Sequence, residues 1–481
     1  MFRYDFILKN GRVIDAAHDM DKICDLGIKD GQIAAVGREL DTTLARQVID
    51  VSGKLVIPGI VDSHCHVARP HARGAGYRML VKAGVTTAVD FEGPLRVIMN
   101  EIQAYGCGVN IGVLEAIYPG NGIKSNHPRR PTIEAWVNKA MDLGALGVKL
   151  LGGHYPLSPE STADIMEVTV DNEGYTAFHV GSTKTGSDIR GLEEALMLAG
   201  NRPLHIAHVN AYCRGLVENP FLEIRKALDL LKNAKNIVSE SHLAPYNGCS
   251  SRINQEGLPK SHVTRNCLRL GGYEISAAGL GQALKDGYAG VYARVGGEQR
   301  YLFGEAAFER WKYGKGQVGA CFPVNLRSAA LAFASEKNAK GDFIVDAISS
   351  DGGAVPRNFI LSHGLALVDF GVLSIKEFVA KSSLLPARMF GFMKKGHFSV
   401  GADADIAVVD AGQAKAEIVL IGGKLSMASG IIIDRPGKVL TTGRGVASMK
   451  SCGVPHEVVD LKKSLFYKKV MKKDSRRNVS E

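Results

Sequence analysis

Two histidines one residue apart, His64 and His66, follow the apolar run Leu55-Val56-Ile57-Pro58-Gly59-Ile60-Val61. In an extended strand residues i and i+2 point to the same side. Both imidazoles can therefore face one divalent ion, and imidazole is the commonest protein ligand for zinc and its relatives. Three more polar residues close apolar runs: His179 after Tyr175-Thr176-Ala177-Phe178, His208 after Leu204-His205-Ile206-Ala207, and Asp351 after Ala347-Ile348-Ser349-Ser350. An isolated carboxylate at a buried strand end is costly, and a metal or a metal-bound water would remove that cost. Each residue alone reads as an ordinary core polar group. Their joint order, His-x-His, His, His, Asp, each behind an apolar run, points to a metal centre. Lys149 interrupts the apolar strand Gly147-Val148-Lys149-Leu150-Leu151. Lysine is almost never buried without a partner. It either snorkels from an edge or takes up CO₂ as a carbamate, an anionic oxygen ligand bridging two metals. Glu92, ending Val89-Asp90-Phe91, is the competing bridge.

These residues need elements to carry them. Residues 5–58 read as short strands and turns, with hairpin signals at Asn10-Gly11 and Asp30-Gly31. From residue 59 the texture becomes apolar strand, loop and amphipathic helix in alternation, with helices expected at 191–199 and 220–232. That alternation favours a parallel α/β architecture, a barrel or a doubly wound sheet. After Ser399 strand texture returns, and Ile418-Val419-Leu420-Ile421-Gly422-Gly423-Lys424 mirrors Ile7-Leu8-Lys9-Asn10-Gly11-Arg12. Both chain ends are therefore expected to build one small β-sandwich (1–58 plus 399–450), with the barrel (59–398) inserted and a basic tail (451–481) at the end.

The chain of 481 residues is long enough for a (β/α)₈ barrel and a smaller partner. Its formal net charge of +10 owes much to the C-terminal stretch carrying Lys462, Lys463, Lys468, Lys469, Lys472, Lys473, Arg476 and Arg477. The expected state of that stretch is a solvated, partly disordered end. No aromatic-interleaved basic stripe or zinc-finger spacing argues for nucleic acid. The 8 cysteines form no CxxC pair, as befits thiols in a reducing compartment. With no signal-peptide core and no apolar run long enough for a bilayer, a cytoplasmic protein without membrane or nucleic-acid partners is expected.

Pro58-Gly59-Ile60-Val61-Asp62-Ser63-His64-Cys65-His66 resembles the opening motif of the amidohydrolase superfamily. Leu385-Pro386-Ala387-Arg388-Met389-Phe390-Gly391, with Gly401-Ala402-Asp403-Ala404-Asp405-Ile406, is similar to that superfamily's return to its β-sandwich. The resemblance implies a (β/α)₈ barrel with one or two zinc-type ions at its C-terminal face. His64 and His66 would hold the more buried ion, His179 and His208 the second, and Lys149 looks like the carboxylated bridge of hydantoinases. Asp351 would ligate the first ion and relay the proton of the attacking water. Ser350-Asp351-Gly352-Gly353 resembles N-acyl-D-amino-acid deacylases, whereas Lys149 is hydantoinase-like.

The implied activity is hydrolysis of an amide C–N bond, in an N-acyl amino acid or related linear amide. Alternatives are a cyclic amide, as for hydantoinases and dihydroorotases, and a deformylase- or formyltransferase-like subunit of a larger complex. A non-catalytic assembly protein would have lost ligands that this chain retains. Arg69, Arg73, His154, Tyr155, Asn210, Tyr212 and Arg214 fall in loops after candidate strands, where a barrel carries substrate contacts. Arginines there would suit a carboxylate-bearing small molecule. A homo-oligomer is expected.

Overall fold

The computed structural model describes residues 2–68 and 72–474. Eight parallel strands form its centre: Ile60–His66, Val85–Asp90, Asn110–Pro119, Gly147–Leu151, Tyr175–His179, Leu204–Ile206, Ile237–His242 and Ala347–Ser349. Each is hydrogen-bonded to the next in that order. The sheet closes where the eighth strand returns to the first. Gly352 and Gly353 pair in parallel with Cys65 and His66, and the Asp351 N–H donates to the His64 carbonyl at 2.8 Å. The result is a (β/α)₈ barrel.

Strands covered on both faces are buried along their whole length, and Val85–Asp90 is buried at every position, Thr86 and Thr87 included. The helices between them start on side-chain caps. Ser158 accepts from the Ser161 N–H ahead of Pro159–Asp171, and Asp188 accepts from Arg190 and Gly191 ahead of Ile189–Ala199. Asn219 does the same for Pro220–Asn233, whose first residue is proline.

Strands from both chain ends share one nine-stranded sheet, with Ile406–Asp410 pairing antiparallel to Leu55–Pro58. It curls until the Ile33 N–H reaches the Ala402 carbonyl at 2.8 Å, around a core that includes Leu8, Val13, Leu26, Ile28, Val56, Phe398, Ile406, Val408 and Leu420. Asp30-Gly31 is the turn of a true hairpin. Asn10-Gly11 is not: Tyr4–Asp15 is one continuous strand whose register slips between Leu8 and Gly11. Asn10 takes a left-handed φ of 63° there, and the pair makes a bulge. A Cβ at Gly11 would lie 2.5 Å from Val56 Cγ2, so neighbouring strands occupy the space a turn would need.

The C-terminal region departs from the sequence expectation. The sheet made by the chain ends stops at Ile431–Ile432, and Val439–Thr441 pairs instead with the barrel strand Asn110–Pro119 and with His456–Val458. Val439 and Leu440 are fully buried, which ties them to the barrel. The basic end is not a loose tail as far as residue 474. Helix Leu465–Asp474 plugs the N-terminal mouth of the barrel. Phe466 is fully buried and stacks on Tyr175 with ring centroids 4.1 Å apart, and the Tyr467 hydroxyl donates to the Gly174 carbonyl at 2.7 Å. Lys469 Nζ donates to the Ile237 carbonyl at 2.7 Å and to Asp346 Oδ1 at 2.9 Å. Arg476 and Arg477 lie outside the described residues.

Between the seventh and eighth strands, residues 243–326 fold into a unit of their own. Strands Asn247–Ser250, Gly319–Phe322, Gly290–Val295 and Glu298–Leu302 form a four-stranded sheet in that order. Helices His262–Leu270 and Ala277–Lys285 pack on it over Leu268, Leu280, Leu284, Val291 and Phe322. The tip of its hairpin is latched to helix Ala75–Lys82, by Arg78 Nη2 on the Gly297 carbonyl at 2.5 Å and Lys82 Nζ on Glu298 Oε1 at 2.6 Å. Among the described residues, no helix is long and apolar enough to cross a membrane.

The Phe466 plug yields a stability prediction. Phe466→Ala removes a fully buried ring from the barrel floor, and large-to-small core changes of this kind cost about 3–5 kcal/mol. Urea unfolding is expected to show a loss of that size. A midpoint equal to that of the wild-type chain would mean that the C-terminal helix does not support the barrel.

Candidate metal centre

His64 and His66 extend from the first barrel strand toward its C-terminal end, and the closure of the barrel carries Asp351 onto them. His66 Nε2 lies 3.0 Å from Asp351 Oδ1, and His64 Nε2 lies 3.5 Å from the same oxygen. One ligand atom from each of these three buried residues falls within 4.8 Å of the others. Asp62 fixes the approach. Its carboxylate accepts the Ser350 N–H at 3.0 Å, the Ser350 hydroxyl, and the His64 N–H at 3.3 Å. Asp351 itself sits at φ 49°, a left-handed conformation that non-glycine residues rarely hold.

The second pair of histidines adjoins the first. The His64 and His208 rings stack with centroids 5.2 Å apart. His208 Nε2 lies 3.1 Å from His179 Nδ1, and His179 Nε2 lies 2.8 Å from Ser187 Oγ. His208 also has positive φ, 33°. The loop after the fourth strand passes so close to His179 that a Cβ at Gly153 would lie 2.1 Å from Nε2, so only glycine fits. Lys149 is 1% exposed, and its Nζ hangs 4.5 Å over the Phe91 ring with no hydrogen-bond partner. Glu92 Oε2 lies 3.3 Å from His66 Nδ1.

Sequence reasoning passed over two residues that complete this cluster. Glu240, in the middle of the seventh strand, is fully buried with its Oε1 2.7 Å from His64 Nδ1. Arg357 Nη2 lies 2.6 Å from Asp351 Oδ2, and its Nε donates to the Asp351 carbonyl. Glu240 was detectable, because a glutamate inside Ile237-Val238-Ser239-Glu240-Ser241-His242 poses the same burial problem as Lys149. Arg357 left no such signal in its loop. His242, on the same strand as Glu240, has its Nε2 4.0 Å from Asp351 Oδ2.

Burial dominates the electrostatics. It pushes His64, His179, His205 and His208 well below the ordinary 6.5, with Lys149 adding to the effect at His64. Burial lowers Lys149 and raises Glu240, and each moderates the other's shift by attraction. It lowers His242 to about 3. Burial alone would raise Asp351 too, but Arg357 and the adjacent His64 hold it well below the usual carboxylate range. The cluster thus presents neutral imidazoles beside an ionised carboxylate.

The sequence-derived substrate contacts have different fates. The His154 ring lies 5.0 Å from that of His179. Tyr155 stacks on Tyr118 with centroids 4.5 Å apart and is 45% exposed. Asn210 is fully buried, and its Oδ1 accepts from Ser241 Oγ and from the His242 N–H, each at 3.1 Å. The Tyr212 hydroxyl holds the Val180 N–H and the Ala207 carbonyl. Arg214 donates Nε and Nη2 to Asn325 Oδ1. Arg69 lies outside the described residues.

The donor set fits a divalent ion of the zinc type, which takes imidazole nitrogen and carboxylate oxygen. His64, His66 and Asp351 supply three convergent donor atoms. His208 Nδ1 and Lys149 Nζ are buried polar atoms with no hydrogen-bond partner beside them, a state that native interiors avoid without a ligand or water.

Residues 317–444 match the amidohydrolase family. The chain is 22% identical over 452 residues to a dihydroorotase of Trichlorobacter lovleyi, covering 84% of this chain and 89% of that enzyme. It superposes on the N-acyl-D-glutamate deacylase of Bordetella bronchiseptica, solved with zinc and a phosphonate inhibitor, with a TM-score of 0.66 and 17% identity over 91% of this chain and 99% of that one. A D-hydantoinase matches with a TM-score of 0.58 and 19% identity, over 90% of this chain and 98% of the other. At such identities the structural likeness speaks for the fold.

The buried neutral histidines set the pH response of the metal-free protein. Unfolded, they take up protons as the pH falls below about 6.5, while the folded cluster resists protonation. The unfolded state then binds more protons, so stability must fall with pH through that region. Urea midpoints are expected to drop between about pH 7 and pH 5, and His205→Gln should reduce the slope by removing one such ring. An unchanged slope would contradict the burial argument.

Proposed function

We propose that this chain, whose residues 317–444 match the amidohydrolase family and which is similar along most of its length to a dihydroorotase, hydrolyses the amide C–N bond of a small, carboxylate-bearing N-acyl amino acid, with Asp351 moving the proton. The observation that carries the reading is the convergence of His64, His66 and Asp351, three buried ligand atoms within 4.8 Å at the C-terminal strand ends. That is the face where such barrels do their chemistry.

His64, His66 and Asp351 would hold one ion of the zinc type, His179 and His208 a second, and Lys149 as a carbamate or Glu92 would bridge them. Such an ion, when bound, lowers the pKa of water toward neutrality and polarises a carbonyl. The chain's own groups do the rest. Arg357, 2.6 Å from Asp351 Oδ2, keeps that carboxylate ionised and aimed. Ionised, Asp351 can accept the proton of the attacking water and return it to the departing nitrogen. His242, held neutral by burial, stands 4.0 Å from Asp351 Oδ2 and adds no competing charge. Arg214, in the loop after the sixth strand, contributes positive charge that acts on His208 and Asp351. A guanidinium there favours a substrate with a carboxylate. The linear substrate also agrees with the Ser350-Asp351-Gly352 run, which resembles the deacylases.

Zinc-loaded protein should release free amine from a panel of N-acetyl amino acids of both configurations. Asp351→Asn should lower turnover by about 10²–10⁴-fold, the usual worth of a general acid–base group. Turnover confined to hydantoins or dihydroorotate would favour the cyclic-amide reading. Full activity in Asp351→Asn would remove Asp351 from the reaction.

A further inference from the structure

Glu240 offers no atom to the group formed by His64, His66 and Asp351, yet it touches both histidine sets. Its Oε1 lies 2.7 Å from His64 Nδ1 and accepts the His208 backbone N–H at 2.7 Å, while Oε2 accepts from the Ser349 hydroxyl. The side chain is fully buried, so water does not compete for these bonds. We propose that Glu240 is the positioning residue of the metal centre, holding His64 in one tautomer and His208 in its left-handed backbone conformation. The proposal rests on the metal-centre reading above and adds the residue that organises it.

A neutral imidazole carries one N–H. If Nδ1 donates to Glu240, the proton is committed there and Nε2 keeps its lone pair. Nε2 is the nitrogen nearest Asp351, 3.5 Å from Oδ1. Partners of this kind fix the tautomer and ring orientation of ligand histidines, and losing them typically lowers metal affinity 10–100-fold. The second bond acts on backbone. The sixth strand ends at Ile206, and His208 turns to φ 33°, which takes its N–H out of the strand ladder. A buried N–H left there without an acceptor would be destabilising. One oxygen serves both contacts, so the ring of His64 and the backbone of His208 cannot shift independently. A glutamate that merely braced the barrel would have no reason to place both bonds of one oxygen on candidate ligands from different strands.

The test measures zinc affinity by chelator competition, together with ¹⁵N-histidine spectra of the metal-free protein. Wild type should show His64 as the Nδ1–H tautomer. Glu240→Gln keeps a carbonyl oxygen for both contacts and turns its amide toward Ser349 Oγ, so affinity and tautomer should stay close to wild type. Glu240→Asp, one methylene shorter, should weaken zinc binding 10–100-fold and mix the tautomers, as should Glu240→Ala if it folds. Ser349→Ala should change neither readout. Wild-type zinc affinity with an unchanged His64 tautomer in Glu240→Asp would overturn the proposal while leaving the metal centre standing. No zinc binding in the wild type, or zinc binding that His64→Ala leaves unaltered, would instead bring down the metal-centre reading, and this proposal with it.

Discussion

The rest of the site depends on how the barrel closes. The Asp351 N–H reaches the His64 carbonyl, and the Asp62 carboxylate takes both the N–H and the hydroxyl of Ser350. Those bonds join the first strand to the eighth across most of the chain length. They put a carboxylate against two imidazoles that share no local sequence with it. Asp351 holds a left-handed backbone conformation in consequence, a local strain that the closure must overcome. Hydrogen bonding that closes the sheet and hydrogen bonding that builds the site are the same bonds.

A closed barrel top is a poor place for charge, and the molecule gathers several charges there. Lys149, Glu240, Asp351 and Arg357 all lie within the buried cluster. An unpaired buried ion is disfavoured by several kcal/mol. Three of the four are held by partners: Arg357 by Asp351, Asp351 by two histidines, Glu240 by His64, His208 and Ser349. Lys149 alone among them makes no hydrogen bond: its Nζ lies over the Phe91 ring, and Glu240 and Asp351 attract it only through space.

The two ends of the barrel are finished by different parts of the chain. Its floor is sealed by the C-terminal helix, through Phe466 against Tyr175 and Lys469 against Asp346. The unit at 243–326 has its own sheet and core, and fastens to helix Ala75–Lys82 through Arg78 and Lys82. Basic residues read in the sequence as a solvated tail therefore include one that holds the barrel shut from below. The alkyl part of lysine can be buried while its ammonium finds carbonyl and carboxylate oxygens, a use that composition does not reveal.

What the sequence determined by itself follows from local periodicity and local burial. Apolar runs closed by His66, His179, His208 and Asp351 marked strand ends, and alternating strands and helices marked a parallel α/β architecture without choosing between a barrel and a doubly wound sheet. Lys149 stood out because an ammonium inside an apolar run has no cheap resting place. Tertiary structure decided matters that depend on distant partners. Asn10-Gly11 carries the residues of a hairpin turn, but packing against Val56 makes it a bulge in a continuous strand. Val439–Thr441 left the chain-end sheet because a barrel strand offered it an edge. Glu240 and Arg357 acquired their meaning only when the fold brought His64, His208 and Asp351 within hydrogen-bond reach. Which strands will neighbour one another sets those contacts, and no window along the chain contains that information.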